Sequence, residues 1–120
     1  MAALLYFLNS AATKNAYNNT FTNLLNSRGT IYGIYTGNGT TTNFYNNKIQ
    51  NLNAIGATGT IYGINLSSSI GNGTMQVYNN MIGDLKTPNI TSANAIVGIN
   101  ANPTGTLTVK LYHNTVSSAV

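Results

Sequence analysis

The side chains in this sequence that are capable of acid–base or nucleophilic chemistry are few and scattered. One aspartate, Asp84, one histidine, His113, and five cations, Lys14, Arg28, Lys48, Lys86 and Lys110, are spread over 120 residues. Glycoside hydrolysis needs two carboxyl groups flanking the scissile bond, and Asp84 has only the chain terminus for company. Calcium-dependent elimination of polysaccharides needs several acidic oxygens besides a basic residue, more than one aspartate supplies. Lys86 follows Asp84 closely and reads as its salt-bridge partner in a loop. His113 has no second histidine, cysteine or carboxylate column near it, so it reads as a solvated or column-capping residue rather than a general base. Cysteine is absent, which removes disulfides and thiolate metal sites. The expectation is a non-enzyme with no catalytic residue, no metal and no cofactor.

A different chemistry does recur. The stretches "AYNNTFTNL" from Ala16, "FYNNKIQNL" from Phe44, "VYNNMIGDL" from Val77 and "LYHNTVSSA" from Leu111 fit one template. They place Tyr17, Tyr45, Tyr78 and Tyr112 at spacings of 28, 33 and 34 residues, each with an asparagine two places on: Asn19, Asn47, Asn80 and Asn114. Two places before each tyrosine stand Asn15, Asn43, Gln76 and Lys110. Aromatic rings beside amides are the groups with which proteins hold sugars, so Tyr17, Tyr45, Tyr78, Tyr112, Asn43 and Gln76 are the candidate ligand-binding residues. Stacked tyrosines also stabilise sheets with no ligand at all.

The elements that must carry these residues are strands. Between the tyrosine copies lies a second element, "GTIYGI" from Gly29 and Gly59 and "NAIVGI" from Asn94. Polar and apolar positions alternate: Thr13, Thr41, Thr74 and Thr108 share an outer face with the amides and tyrosines, while Ala16, Phe44, Val77 and Leu111 point inward. Past the tyrosine, Phe21, Ile49, Ile82 and Val116 return to the core, followed by Leu24, Leu52, Leu85 and Ala119. Length varies only between elements, and the composition lacks the helix formers of helical repeats. The expected fold is all-β: one domain over 1–120, a parallel β-solenoid of about four coils, with repeats near 1–28, 29–59, 60–94 and 95–120. Asn19, Asn47, Asn80 and Asn114 are expected in a left-handed bend, bonded amide to amide from coil to coil as a structural ladder. Asn38-Gly39 and Asn72-Gly73 are hairpin signals and keep an antiparallel sandwich open.

At these residues the chain resembles the right-handed parallel β-helix of pectate-lyase-like type. "VYNNMIGDLKTP", "IVGI" and "LYHNTV" are similar to repeats of large secreted or cell-surface proteins of Bacteroidota-type bacteria, which implies an extracellular, bacterial protein without established activity.

Charged residues are 5% of the chain and the cations form no cluster, so the surface reads as mildly basic and solvated, without a nucleic-acid face. "MAALLYFLNSAA" has a short apolar run without a preceding basic residue, and reads as folded chain rather than a targeting or membrane segment. Both ends stop in mid-repeat without a charged cap, as a piece of a longer repeat protein would, or a solenoid that stacks head-to-tail on itself. A structural, self-assembling solenoid is therefore the leading expectation, a glycan-binding or adhesive module the alternative. The run "GNGTTTN" and the threonine column give ice binding weaker support.

Overall fold

The structure is a computed structural model and describes residues 1–8, 13–67 and 72–118. Along the chain run β1 (Ala2–Phe7), β2 (Thr13–Tyr17), β3 (Thr20–Asn26), β4 (Ile31–Thr36), β5 (Thr41–Tyr45), β6 (Lys48–Ala54), β7 (Ile61–Leu66), β8 (Asn72–Tyr78), β9 (Met81–Lys86), β10 (Ile96–Ala101), β11 (Thr106–Tyr112) and β12 (Thr115–Val116). Every third strand returns to the same sheet. The first sheet is β1-β4-β7-β10, the second β2-β5-β8-β11 and the third β3-β6-β9-β12, all paired in parallel. This is a parallel β-solenoid. Its four strands per sheet are separated by three helical steps, so the chain makes about three turns rather than the expected four.

The antiparallel sandwich is excluded by the parallel registers, and the Asn-Gly pairs do something other than turn hairpins. Gly39 and Gly73 have φ of 133° and 147°, a region open to glycine. A Cβ on Gly73 would collide with the backbone of Thr40, whose carbonyl accepts from Thr74 N at 2.8 Å. The glycine lets one coil lie directly on the next.

The core is a set of in-register columns. Phe44 pairs with Ala16 and Val77, and Ile49 pairs with Phe21 and Ile82. Phe44, Val77, Ile49, Ile82, Leu52 and Leu85 are fully buried, each stabilising the fold by about 1.5–3 kcal/mol through area removed from water. The glycine of "IYGI" fits opposite the third sheet: a Cβ on Gly33 or Gly63 would sit 2.7 or 2.6 Å from Cγ2 of Ile49 or Ile82. Where the column ends, burial ends. Leu111 and Val116, equivalents of buried Val77 and Ile82, are 47% and 49% exposed. Ala119 lies outside the described residues.

One charge departs from the expectation of a solvated surface. Lys14 is inward-facing and only 2% exposed, with its Nζ donating to Thr36 Oγ1 at 3.4 Å. Its column continues through Thr42, Met75 and Val109, so the register forces it into the core. Burial lowers its pKa.

Candidate functional site

The candidate ligand-binding residues do lie together, on the outer face of the second sheet. Registers Thr13–Thr41–Thr74–Thr108, Asn15–Asn43–Gln76–Lys110 and Tyr17–Tyr45–Tyr78–Tyr112 form three parallel columns. Strand geometry sets columns about 6.6 Å apart and rungs about 4.8 Å apart. The amides bond along their column: Asn43 Nδ2 donates to Asn15 Oδ1 at 2.8 Å and Gln76 Nε2 to Asn43 Oδ1 at 3.4 Å. Lys110 stands exposed at the end.

The tyrosines stack face to face. Centroid distances are 5.0, 5.0 and 4.9 Å, with ring planes within 3° of parallel. Partial desolvation in the stack, then the neighbouring Tyr17 and Tyr78 phenols, raises the pKa of Tyr45. The stack also limits what the face can do. A sugar ring packs on the flat side of an aromatic ring, and both flat sides of Tyr45 and Tyr78 are covered by their neighbours. Those two rings offer edges and hydroxyls; the outer sides of Tyr17 and Tyr112 have no column neighbour among the described residues.

Beneath the tyrosines runs the structural ladder. Asn19 donates through Nδ2 to Asn47 Oδ1, Asn47 to Asn80 and Asn80 to Asn114, each at 3.0 Å. Each Oδ1 also accepts from the backbone N of the asparagine one rung earlier, at 3.2, 3.0 and 3.1 Å. The second Nδ2 hydrogen of Asn47, Asn80 and Asn114 reaches the carbonyls of Ala16, Phe44 and Val77 at 2.9, 2.9 and 2.8 Å. Asn47 and Asn80 are almost wholly buried, and every polar atom of their amides is used.

The left-handed bend, however, belongs to the preceding residue. Positive φ falls at Asn18, Asn46, Asn79 and His113, at 57°, 55°, 53° and 54°, and not at the ladder asparagines. The two asparagines of "YNN" divide the work: the first turns the chain and the second ties the coils. This explains His113. It is an exposed residue at a left-handed position, where histidine joins asparagine and aspartate as the tolerated side chains; its ring meets Tyr112 edge-on at 5.6 Å. It does not cap the ladder.

Asp84 has a parallel explanation. A second left-handed column comprises Asn23, Asn51 and Asp84, at 66°, 56° and 52°. The sole aspartate therefore replaces a turn-forming asparagine, and its 2.8 Å pair with Lys86 lies on the exposed face of a strand, not in a loop. Among the described residues no three metal-ligating side chains cluster, and no helix is long and apolar enough to cross a membrane.

A second aromatic cluster escaped the sequence reading. On the outer face of the first sheet, Tyr6 stacks on Tyr35 at 4.4 Å and 16°, Tyr32 meets Tyr35 edge-on at 5.1 Å, and Tyr32 stacks on Tyr62 at 5.3 Å. The two "IY" dipeptides of "GTIYGI" carried the signal, since an outward position repeated between coils must stack. No family model matches the chain, and no curated protein or solved structure matches it either.

Proposed function

We propose that the chain is a non-enzymatic structural solenoid that works outside the cell, or at its surface, by stacking head-to-tail with further copies of itself. The observation that carries this reading is the set of unfilled positions at the two ends of the buried asparagine ladder. At the last rung, Asn114 gives one Nδ2 hydrogen to Val77 O at 2.8 Å and, among the described residues, finds no acceptor for the other. At the first rung, Asn19 donates to Asn47, but its own Oδ1 receives no donor among the described residues. A copy stacked in the same direction joins these groups. Asn114 N and Nδ2 meet Asn19 Oδ1 of the next copy, and Asn19 Nδ2 meets the Leu111 carbonyl, repeating the bonds that tie Asn47 to Asn80.

The same step sets Tyr112 on Tyr17 and the half-exposed Leu111 and Val116 on Ala16 and Phe21. A reversed copy would set Asn19 Oδ1 against Asn19 Oδ1 at one end, or Asn114 Nδ2 against Asn114 Nδ2 at the other. Contacts of this head-to-tail kind are heterologous and build filaments when the rotation does not close. The extracellular placement rests on the resemblance to Bacteroidota-type surface repeats, and we take the coil as right-handed, the usual hand of parallel crossovers. Glycan binding at the second sheet has less support, because ring stacking leaves Tyr45 and Tyr78 only edges to offer.

Sedimentation of the intact chain and of Leu111→Lys tests the proposal. Large species that grow with concentration in the intact chain and vanish in Leu111→Lys are the expected result. The variant's melting in dilute solution should be unchanged, since the lysine replaces an exposed side chain. An intact chain that stays monomeric at high concentration overturns the self-stacking reading, and a longer polypeptide supplying the next coil covalently then takes its place.

A further inference from the structure

The cluster on the first sheet differs from the tyrosine ladder in one respect that bears on chemistry. Ladder rings sit one strand spacing apart, at 4.9–5.0 Å. Tyr6 and Tyr35 have closed to 4.4 Å, with ring planes 16° apart. Rings this close and nearly parallel bring the carbons of one phenol within reach of those of the other. Both residues are only half buried, on an outer face, and β1 and β4 hold them in register. Desolvation by burial, then the Tyr35 phenol, raises the pKa of Tyr6.

We propose that Tyr6 and Tyr35 form an oxidative cross-linking site, where a peroxidase-type one-electron oxidant with hydrogen peroxide joins the two rings and fastens the first coil to the second. The oxidant removes one hydrogen atom, as an electron and a proton, from each phenol, and the peroxide leaves as two waters. The two phenoxyl radicals couple through the carbons ortho to their oxygens. Each coupled carbon then gives up its proton to restore a phenol, so the product is a biphenol-linked pair that has lost two hydrogens. The two residues already oppose each other in the sheet, so coupling asks the side chains to turn until the ortho carbons meet edge to edge. Tyr32, edge-on to Tyr35 and stacked on Tyr62, offers neighbouring phenols that can pass an electron to the pair. The site stands whether or not the chain stacks into filaments.

The test is to treat the dilute chain with a haem peroxidase and limiting hydrogen peroxide, denature it, and analyse the single-chain species by intact mass, dityrosine fluorescence and tryptic mapping. Trypsin separates the pair conveniently: Tyr6 is the only tyrosine before Lys14, and Tyr35 lies between Arg28 and Lys48. The expected product is a single chain lighter by two hydrogens, with the peptide ending at Lys14 joined to the one beginning at Gly29. Tyr6→Phe and Tyr35→Phe should both lose this product while keeping wild-type far-ultraviolet dichroism; Tyr32→Phe should keep it. A cross-link that maps to Tyr45 and Tyr78, one that forms only between chains, one that survives in Tyr6→Phe, or none at all overturns the proposal.

Discussion

Replacing Asn47 by alanine removes one of the two fully bonded amides of the ladder. Four bonds go: Nδ2 to Asn80 Oδ1 and to the Ala16 carbonyl, and Oδ1 from Asn19 N and Nδ2. They are not equally costly. Asn19 is half-exposed, so water replaces what it loses, and Asn80 Oδ1 keeps the backbone N of residue 47 at 3.0 Å. The Ala16 carbonyl and the second lone pair of Asn80 lose partners in a buried place, at about 1–1.5 kcal/mol each, and the vacated amide leaves a small void. The expected total is about 3 kcal/mol. An unfolding entropy of about 2.1 cal/mol/K per residue gives about 0.25 kcal/mol/K for this chain, so the midpoint should fall by about 12 °C. Asn114→Ala is the control. Its rung is only partly buried, and in dilute solution the loss should be about 1 kcal/mol. Thermal melts followed by far-ultraviolet dichroism decide the matter. If Asn47→Ala melts with the wild type, or if Asn114→Ala costs as much, the ladder is not what ties the coils.

Lys14→Met should stabilise the chain, because Met75 already occupies the same column and the ammonium is buried beside a single hydroxyl. Burial lowers the folded-state pKa of Lys14 below its unfolded value, so its destabilising effect is full at pH below the folded pKa and fades as pH rises towards the ordinary lysine range; urea titrations at increasing pH should show wild type approaching Lys14→Met. Gly63→Ala should cost about 1–3 kcal/mol by overpacking, since its Cβ would lie 2.5 Å from the Gly98 carbonyl and 2.6 Å from Ile82 Cγ2; a melt unchanged from wild type would refute the tight approach. His113→Asn should be neutral or slightly stabilising, whereas His113→Val should cost about 1–2 kcal/mol for a β-branched residue at φ 54°, read from the same melts.

The architecture was legible because period and alternation are written several times over. The columns through Tyr45, Phe44 and Asn47 needed only alignment of the copies, and the parallel registers follow them. The division of labour within "YNN" was harder. Three copies have asparagine at both positions, so composition alone cannot say which residue turns the chain. The fourth copy, with His113 before Asn114, held the clue, because a bend tolerates histidine and an amide ladder does not. Lys14 was misread because charge was weighed residue by residue; in its column, Met75 and Val109 mark the position as inward. The Tyr6–Tyr35 stack was hidden for another reason: "LLYFL" can stand in the place of "IYGI", but only the register of β1 on β4 sets Tyr6 opposite Tyr35, one residue past that motif. The turn count came out one too many because copies were counted rather than the steps between them.

The buried ladder has a consequence for how the size of such a molecule is determined. Each asparagine hands to the next rung the same donors it receives from the one before, and the tyrosine and isoleucine columns repeat in the same way. Along the asparagine ladder nothing distinguishes the second coil from the third. A duplicated stretch from Asn46 to Tyr78, the 33-residue step between ladder partners Asn47 and Asn80, would meet matching groups above and below and leave no seam. The fold thus contains no internal measure of its own length. Gain or loss of a coil in the encoding sequence leaves the ladder bonds of the remaining coils the same in kind, so the number of coils can change without a new type of rung.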